Sequence, residues 1–136
     1  MRLAVLHDEP PAEPRPDEQD TQRQARFVAE RLEANGHEAA LVPFGLDLGS
    51  ARRALERRSP DAVVNLVESV GGSGRLIHLA PALLEVIGLR FTGARSAPMF
   101  TTTDKLLAKR MLAAAGLPTP AWMDSGGALA GRPDGA

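Results

Sequence analysis

The residues best suited to chemistry lie in Asp61-Ala-Val-Val-Asn-Leu-Val-Glu-Ser-Val-Gly-Gly-Ser-Gly-Arg75, where a short apolar run gives way to a polar, glycine-rich loop. Val63, Val64, Leu66 and Val67 suit a buried parallel strand, and the glycines after them allow backbone conformations that side chains forbid. In open α/β sheets ligands gather just beyond the carboxyl ends of strands. Asn65, Glu68, Ser69, Ser73 and Arg75 therefore stand where binding chemistry is expected. Taken alone, the same stretch also reads as a plain turn.

Around that loop the spacing of apolar residues predicts the elements that would carry it. Strands are expected near 2–6, 38–42, 62–67 and 89–92, and helices near 21–35, 50–58, 78–87 and 103–115. Residues 7–20 hold four prolines and six acids and are read as irregular. Ala25, Val28, Ala29 and Leu32 share one face of the first helix, which Asn35-Gly36 should stop. Ser50 is read as the cap of the second helix, whose Arg52, Arg53, Arg57 and Arg58 should stay in solvent. Ile77, Ala80, Leu83, Leu84 and Ile87 mark the third helix, where Pro81 is tolerable only in the first turn. A connector at 94–102 leads to a last helix with Leu107, Met111 and Ala114 on one face. Residues 125–136 are read as a loose tail. The fold class is α/β: a small doubly wound, mostly parallel, Rossmann-like sheet.

Composition narrows the function. The 136 residues suffice for one compact domain, with 43% hydrophobic and 24% charged residues. A formal net charge of −1 offers no basic field for nucleic acid or an anionic membrane. Without cysteine there is no disulfide, thiolate metal site or thiol nucleophile. His7, His37 and His78 are too isolated in sequence to suggest a metal site. No apolar run approaches a bilayer span and the first residues lack a signal-peptide core, so a soluble, cytoplasmic protein is expected.

Four blocks in order carry a resemblance. The 61–75 segment is followed by Ala80-Pro-Ala-Leu-Leu-Glu85, by Gly88-Leu-Arg-Phe-Thr-Gly93, and by Asp104-Lys-Leu-Leu-Ala-Lys-Arg-Met-Leu-Ala-Ala-Ala-Gly-Leu-Pro-Thr-Pro120. Together, over about residues 1–122, they resemble the amino-terminal part of the D-alanine:D-alanine ligase family of the ATP-grasp superfamily. Such ligases use ATP to turn a carboxylate into an acyl phosphate, which an amine then attacks.

The resemblance implies a pre-ATP-grasp α/β domain at 1–93, the opening helix of an incomplete, truncated ATP-grasp domain at 94–123, and a tail at 124–136. It implies ATP and Mg2+ as cofactors, with neither held tightly by this chain alone, since the family's main nucleotide and magnesium carboxylates lie downstream. Lys105 matches the family lysine that reaches nucleotide phosphate, a role suited to a compact cation. From spacing alone, Lys105 and Lys109 form a solvated stripe, and Lys109 keeps that reading.

Glu68, Ser69, Gly72, Ser73 and Arg75 match the segment bordering the amino-acid substrate. There a carboxylate suits an ammonium, and an arginine suits a carboxylate through a bidentate fork. Where the family has a glycine-rich first loop with a substrate-contacting glutamate, this chain has His7-Asp-Glu-Pro-Pro-Ala-Glu-Pro-Arg-Pro-Asp-Glu18. Glu9, Glu13 and Glu18 are candidates for that contact, with Glu13 assigned to the substrate-binding set. No residue is assigned a catalytic role. His7 and Trp122 are read as structural.

The implied partner is an amino acid or dipeptide-type small molecule, with a homodimer possible. The implied function is the substrate-side portion of an ATP-dependent carboxylate-amine ligase, inactive alone. The alternative is a non-catalytic binding or dimerisation module derived from that family. An unrelated dinucleotide-binding domain is disfavoured, because prolines stand after the first strand where Gly-x-Gly-x-x-Gly would be required.

Overall fold

The computed structural model describes residues 1–10, 16–123, 126 and 129–130. The backbone runs β1 (Arg2–Asp8), α1 (Pro16–Ala34), β2 (Glu38–Phe44), α2 (Leu48–Arg58), β3 (Ala62–Asn65), a 3-10 turn (Gly74–Leu76), α3 (Leu79–Val86), α4 (Ser96–Thr103) and α5 (Lys105–Ala114). A short pair, β4 (Trp122–Met123) and β5 (Leu129–Ala130), completes the described elements.

The fold is α/β, with a three-stranded sheet in the order β2-β1-β3. β1 pairs in parallel with β2 through Arg2↔Glu38 to Asp8↔Phe44, and with β3 through Leu3↔Ala62 to Leu6↔Asn65. Because side chains alternate across a strand, β1 divides its apolar residues between two layers. Ala4 and Leu6 join Val42, Phe44, Val63, Ala51 and Leu55 of α2, and Ala80 and Leu84 of α3. Val5 points the other way, to Ala25 and Ala29 of α1. Helices thus cover both faces, and all three strands end at the same edge.

The structure corrects several expectations. Four strands were expected in the main sheet, and three form. Residues 89–92 make a single parallel bridge, Val63↔Phe91, with Val63 N donating to Arg90 O (2.8 Å) and Thr92 N to Val63 O (3.0 Å). The next donor of β3, Asn65 N, goes to the Thr92 hydroxyl (3.0 Å) instead of a backbone carbonyl, so the ladder stops.

Helix α1 starts at Pro16, inside the segment read as irregular. Proline suits a first helical turn, where its missing N–H has no intrahelical partner. The connector at 94–102 is largely α4, with Pro98 again in the first turn. Ser50 does not cap α2. Its N–H donates to Asp47 Oδ1 (2.9 Å), which makes Asp47 the cap. On α5, Met111 is half exposed and no residue is buried, so the expected inward stripe is not packed. Part of the expected loose tail, Leu129–Ala130, pairs antiparallel with Trp122–Met123, and residues 131–136 lie outside the described residues.

Leu55 is fully buried between α2 and the sheet, whereas Val86 at the end of α3 is 82% exposed. Leu55→Ala should cost about 2–5 kcal/mol through lost burial and the cavity left behind. Val86→Ala should change stability by less than about 0.5 kcal/mol. Urea unfolding of the two variants checks the contrast.

Candidate functional site

β1 ends in Asp8, and the Asp8 carboxylate joins two of the loops at the carboxyl edge. Its Oδ1 accepts from Glu68 N (2.8 Å) and its Oδ2 from Ser69 Oγ (2.7 Å). This bridges the exit of the central strand to the loop after β3, 60 residues away in sequence. Upstream of that loop, Asn65 Oδ1 accepts from Val67 N (3.3 Å), a local bond that turns the chain out of the strand.

Val70 and Ser73 exchange backbone bonds of 3.1 Å in both directions across Gly71-Gly72. Both glycines have positive φ, 58° and 75°, as the mirror-image two-residue turns require. The glycine-rich segment is therefore a defined tight turn. The loop after β2 supports both neighbours: Glu9 N donates to Phe44 O (3.0 Å), and the Leu46 side chain packs against the Gly71 backbone.

Between these loops is a cleft of about 360 Å³ lined by Asp8, Glu9, Pro10, Thr21, Ser69, Gly71 and Gly72. Larger hollows of about 440 and 550 Å³ border α3. The larger is lined by Arg2 and Asp61, at the amino ends of strands, away from the edge where open α/β sheets place ligands.

The residues singled out in the sequence divide into those at this cleft and those beside it. Ser69, Gly72 and Glu9 line it. Glu68 is exposed and contributes its backbone N–H to Asp8. Ser73 serves the turn through its backbone. Arg75 does not line the cleft: its Nη2 donates to Asp104 Oδ2 at 2.8 Å, tying the 3-10 turn to the start of α5. Glu13 and the side chain of Glu18 lie outside the described residues.

Asp8 is the residue that sequence reading passed over. It stands beside a run of prolines and acids, and its role depends on Ser69 and the Glu68 amide, which only strand pairing brings near. His7 is buried, with Nδ1 donating to its neighbour's carbonyl, Asp8 O (2.9 Å).

Asp104 is both cap and ion-pair partner. Its Oδ1 accepts from Leu106 N (3.0 Å) and Leu107 N (3.1 Å) while its Oδ2 holds Arg75. The bond from Leu107 N, together with the Arg75 charge, lowers the Asp104 pKa despite an opposing desolvation. Glu85 serves α4 in the same way: its carboxylate accepts from the Ser96 hydroxyl and from Ser96 N (3.2 Å). The Ser96 hydroxyl is the main cause of its lowered pKa, the Ser96 backbone bond the second.

Lys105 is exposed at the first position of α5, next to the Asp104 carboxylate. Lys109, expected on the surface, is instead half-buried. Its Nζ donates to Pro120 O (2.8 Å) and Thr119 Oγ1 (3.3 Å) and lies 5.5 Å from the Trp122 ring centre, which fastens α5 to the segment after it. Among the described residues no three His, Cys, Asp or Glu side chains gather in a group able to hold a metal ion. Lys105 thus stands beside the carboxylate that Arg75 already engages, and among the described residues this set does not by itself form a fitted site for Mg-ATP. No helix among the described residues is long and apolar enough to cross a membrane.

No family model matches the chain. Several curated proteins do. The chain is 30% identical over 123 residues to the D-alanine--D-alanine ligase of Moorella thermoacetica, covering 90% of this chain and 37% of that protein. It is 33% identical over 123 residues to the namesake from Gloeobacter violaceus, with the same two coverages. The match to the one from Desulforudis audaxviator is 32% over 102 residues, covering 75% of this chain and 31% of the relative. The chain thus spans about a third of the length of the curated relatives it matches.

Asp104 and Glu85 give a pH dependence of defined sign. A carboxylate whose pKa is lowered by folding contributes stability above its unfolded value, and this is lost as pH falls through the folded value. The ordinary values are 3.8 for Asp104 and 4.5 for Glu85. Asp104→Asn and Glu85→Gln should therefore melt below the wild type at neutral pH, and the gap should close by about pH 2. Thermal melts across that range test this. Across most of its 136 residues, by sequence, the chain is similar to about a third of the length of several D-alanine--D-alanine ligases.

Proposed function

We propose that the chain is the substrate-side portion of an ATP-dependent carboxylate-amine ligase of this family, with the cleft at the carboxyl edge as its amino-acid subsite. The observation that carries this is the meeting of three loops there, in a chain whose relatives are D-alanine--D-alanine ligases. In this reading residues 1–93 form the Rossmann-like pre-ATP-grasp domain, and 94–123 open the ATP-grasp region.

The cleft offers the carboxylates of Asp8 and Glu9, the Ser69 hydroxyl and the backbone of Gly71 and Gly72. Two carboxylates at a small cleft favour an ammonium, and Thr21 and Ser69 add neutral polar contacts for the rest of an amino acid. Asp8 is already bonded through both oxygens, so its part is to hold the loop while contributing charge. ATP, when bound in such a ligase, supplies the phosphoryl group that activates the carboxylate. In this chain Lys105 is the cation available to a phosphate oxygen, with Arg75 and Asp104 holding the end of α5 on which it stands.

Lys105, with no metal-holding group of side chains among the described residues, leaves few charge-neutralising contacts for a triphosphate. The purified chain should therefore bind D-alanine in calorimetry and show no amino-acid-dependent ATP hydrolysis. Its Mg-ATP affinity should be about millimolar or weaker, equivalent to roughly 4 kcal/mol. Micromolar Mg-ATP binding that Lys105→Ala abolishes would overturn the view that this portion lacks a complete nucleotide site. Failure to bind any amino acid would overturn the subsite.

A further inference from the structure

Residues 89–92 form one edge of the sheet and bond to β3 on their inner side. Val63 N donates to Arg90 O and Thr92 N donates to Val63 O, so the Arg90 carbonyl and the Thr92 N–H turn inward. The backbone groups of Phe91, between them, point away from the sheet, as the alternation of a parallel ladder requires. Neither the N–H nor the C=O of Phe91 has a hydrogen-bond partner among the described residues. Gly93, at φ 96°, leaves the strand conformation and ends this edge.

A hollow of about 440 Å³ lies along the edge, lined by Leu89, Arg90, Phe91 and Gly93 of the segment itself and by Glu85 and Arg95 beside it. It shares no residue with the cleft described above. Its charge is unbalanced. The Glu85 carboxylate is taken up by Ser96, which donates to both of its oxygens. Arg90 spends one nitrogen on a long bond to Asp61 O (3.3 Å), and Arg95 donates to no described residue. An unpaired strand edge and two guanidinium groups with donors to spare therefore face the same space.

We propose that this edge is a docking site for a short, extended, acidic peptide segment. The peptide backbone would pair with the Phe91 N–H and C=O as an added strand, and its carboxylates would meet Arg90 and Arg95. Charge selects this occupant over a second copy of the chain. A copy adding the same edge by twofold symmetry would set these arginines against their own counterparts, and like charges across such a pairing oppose it. Charged side chains on an exposed edge also restrain indiscriminate strand addition, which leaves acidic segments as the favoured partners.

The test uses the whole chain and a short blocked peptide of alternating valine and glutamate, with calorimetry for affinity and NMR hydrogen exchange at the Phe91 amide. The peptide should bind with submillimolar affinity and slow exchange at Phe91. Replacing its glutamates by glutamine should weaken binding roughly tenfold or more, and Arg95→Gln in the protein should do the same, through loss of charge-assisted bonds. The Arg95→Gln protein should melt within about 4 °C of wild type, since the residue is exposed. Two further peptides carry N-methyl groups on alternate residues. Because only one set of peptide nitrogens can face the edge, one of the two should lose about three- to tenfold in affinity and the other should not.

Equal binding of the glutamate and glutamine peptides overturns the role of the arginines and with it the proposal. Equal binding of the two methylated peptides, or unslowed exchange at Phe91 under saturating peptide, overturns strand addition. Absence of binding at millimolar peptide overturns the site. Protection of Phe91 in the chain alone that rises with protein concentration assigns the edge to a second copy and overturns the acidic partner.

Discussion

Everything at the carboxyl edge hangs on β1 being the middle strand of a parallel sheet. It is paired on both sides and buried on both faces, with Ala4, Val5 and Leu6 wholly inaccessible. A strand in that position cannot shift by one residue without exchanging its two sets of side chains between the α1 layer and the α2/α3 layer. The register is therefore held by burial, and its last residue, Asp8, is delivered to a fixed point between the exits of β2 and β3. Parallel pairing then brings all three exits to the same edge.

From that point the polar structure is built outward in a few steps. Asp8 binds the Glu68 amide and the Ser69 hydroxyl, the Gly71-Gly72 turn closes the loop on itself, and Leu46 rests on Gly71. The Glu68 amide and the backbone groups of Val70 and Ser73 thereby gain partners that the sheet no longer supplies there. The cleft is consequently a product of how the ends of the sheet are finished.

The region beyond residue 93 is organised by different forces. α4 and α5 bury no residue fully, and their amino ends are held by carboxylates: Glu85 from α3 for α4, Asp104 for α5. Arg75 links this capping to the glycine-rich segment, and His78 packs edge-on against Phe100 of α4 at 5.0 Å. Exposed apolar residues such as Met111, Leu117 and Met123 cluster in the same part of the sequence. Polar clamps and helix ends hold this part, whereas the sheet domain is held by its core.

Local pattern was enough for a good share of this protein. The apolar runs at 2–6, 38–42 and 62–67, the last of which is strand only as far as Asn65, the helical faces of α1, α2 and α3, and the stop at Asn35-Gly36 are signals carried by a few neighbouring residues. The likeness to the ligases was legible too, in four blocks that stand in order along the sequence. What pattern missed depended on partners far along the chain. The fourth strand failed because the Thr92 hydroxyl took a ladder donor, α4 formed where Glu85 could cap it, and Lys109 left the surface for Pro120 and Trp122. Asp8 carries no signal of its own among prolines and acids. Its role arises only when β1 lies between its two neighbours, since a carboxylate acquires meaning from the amide and hydroxyl that folding sets against it.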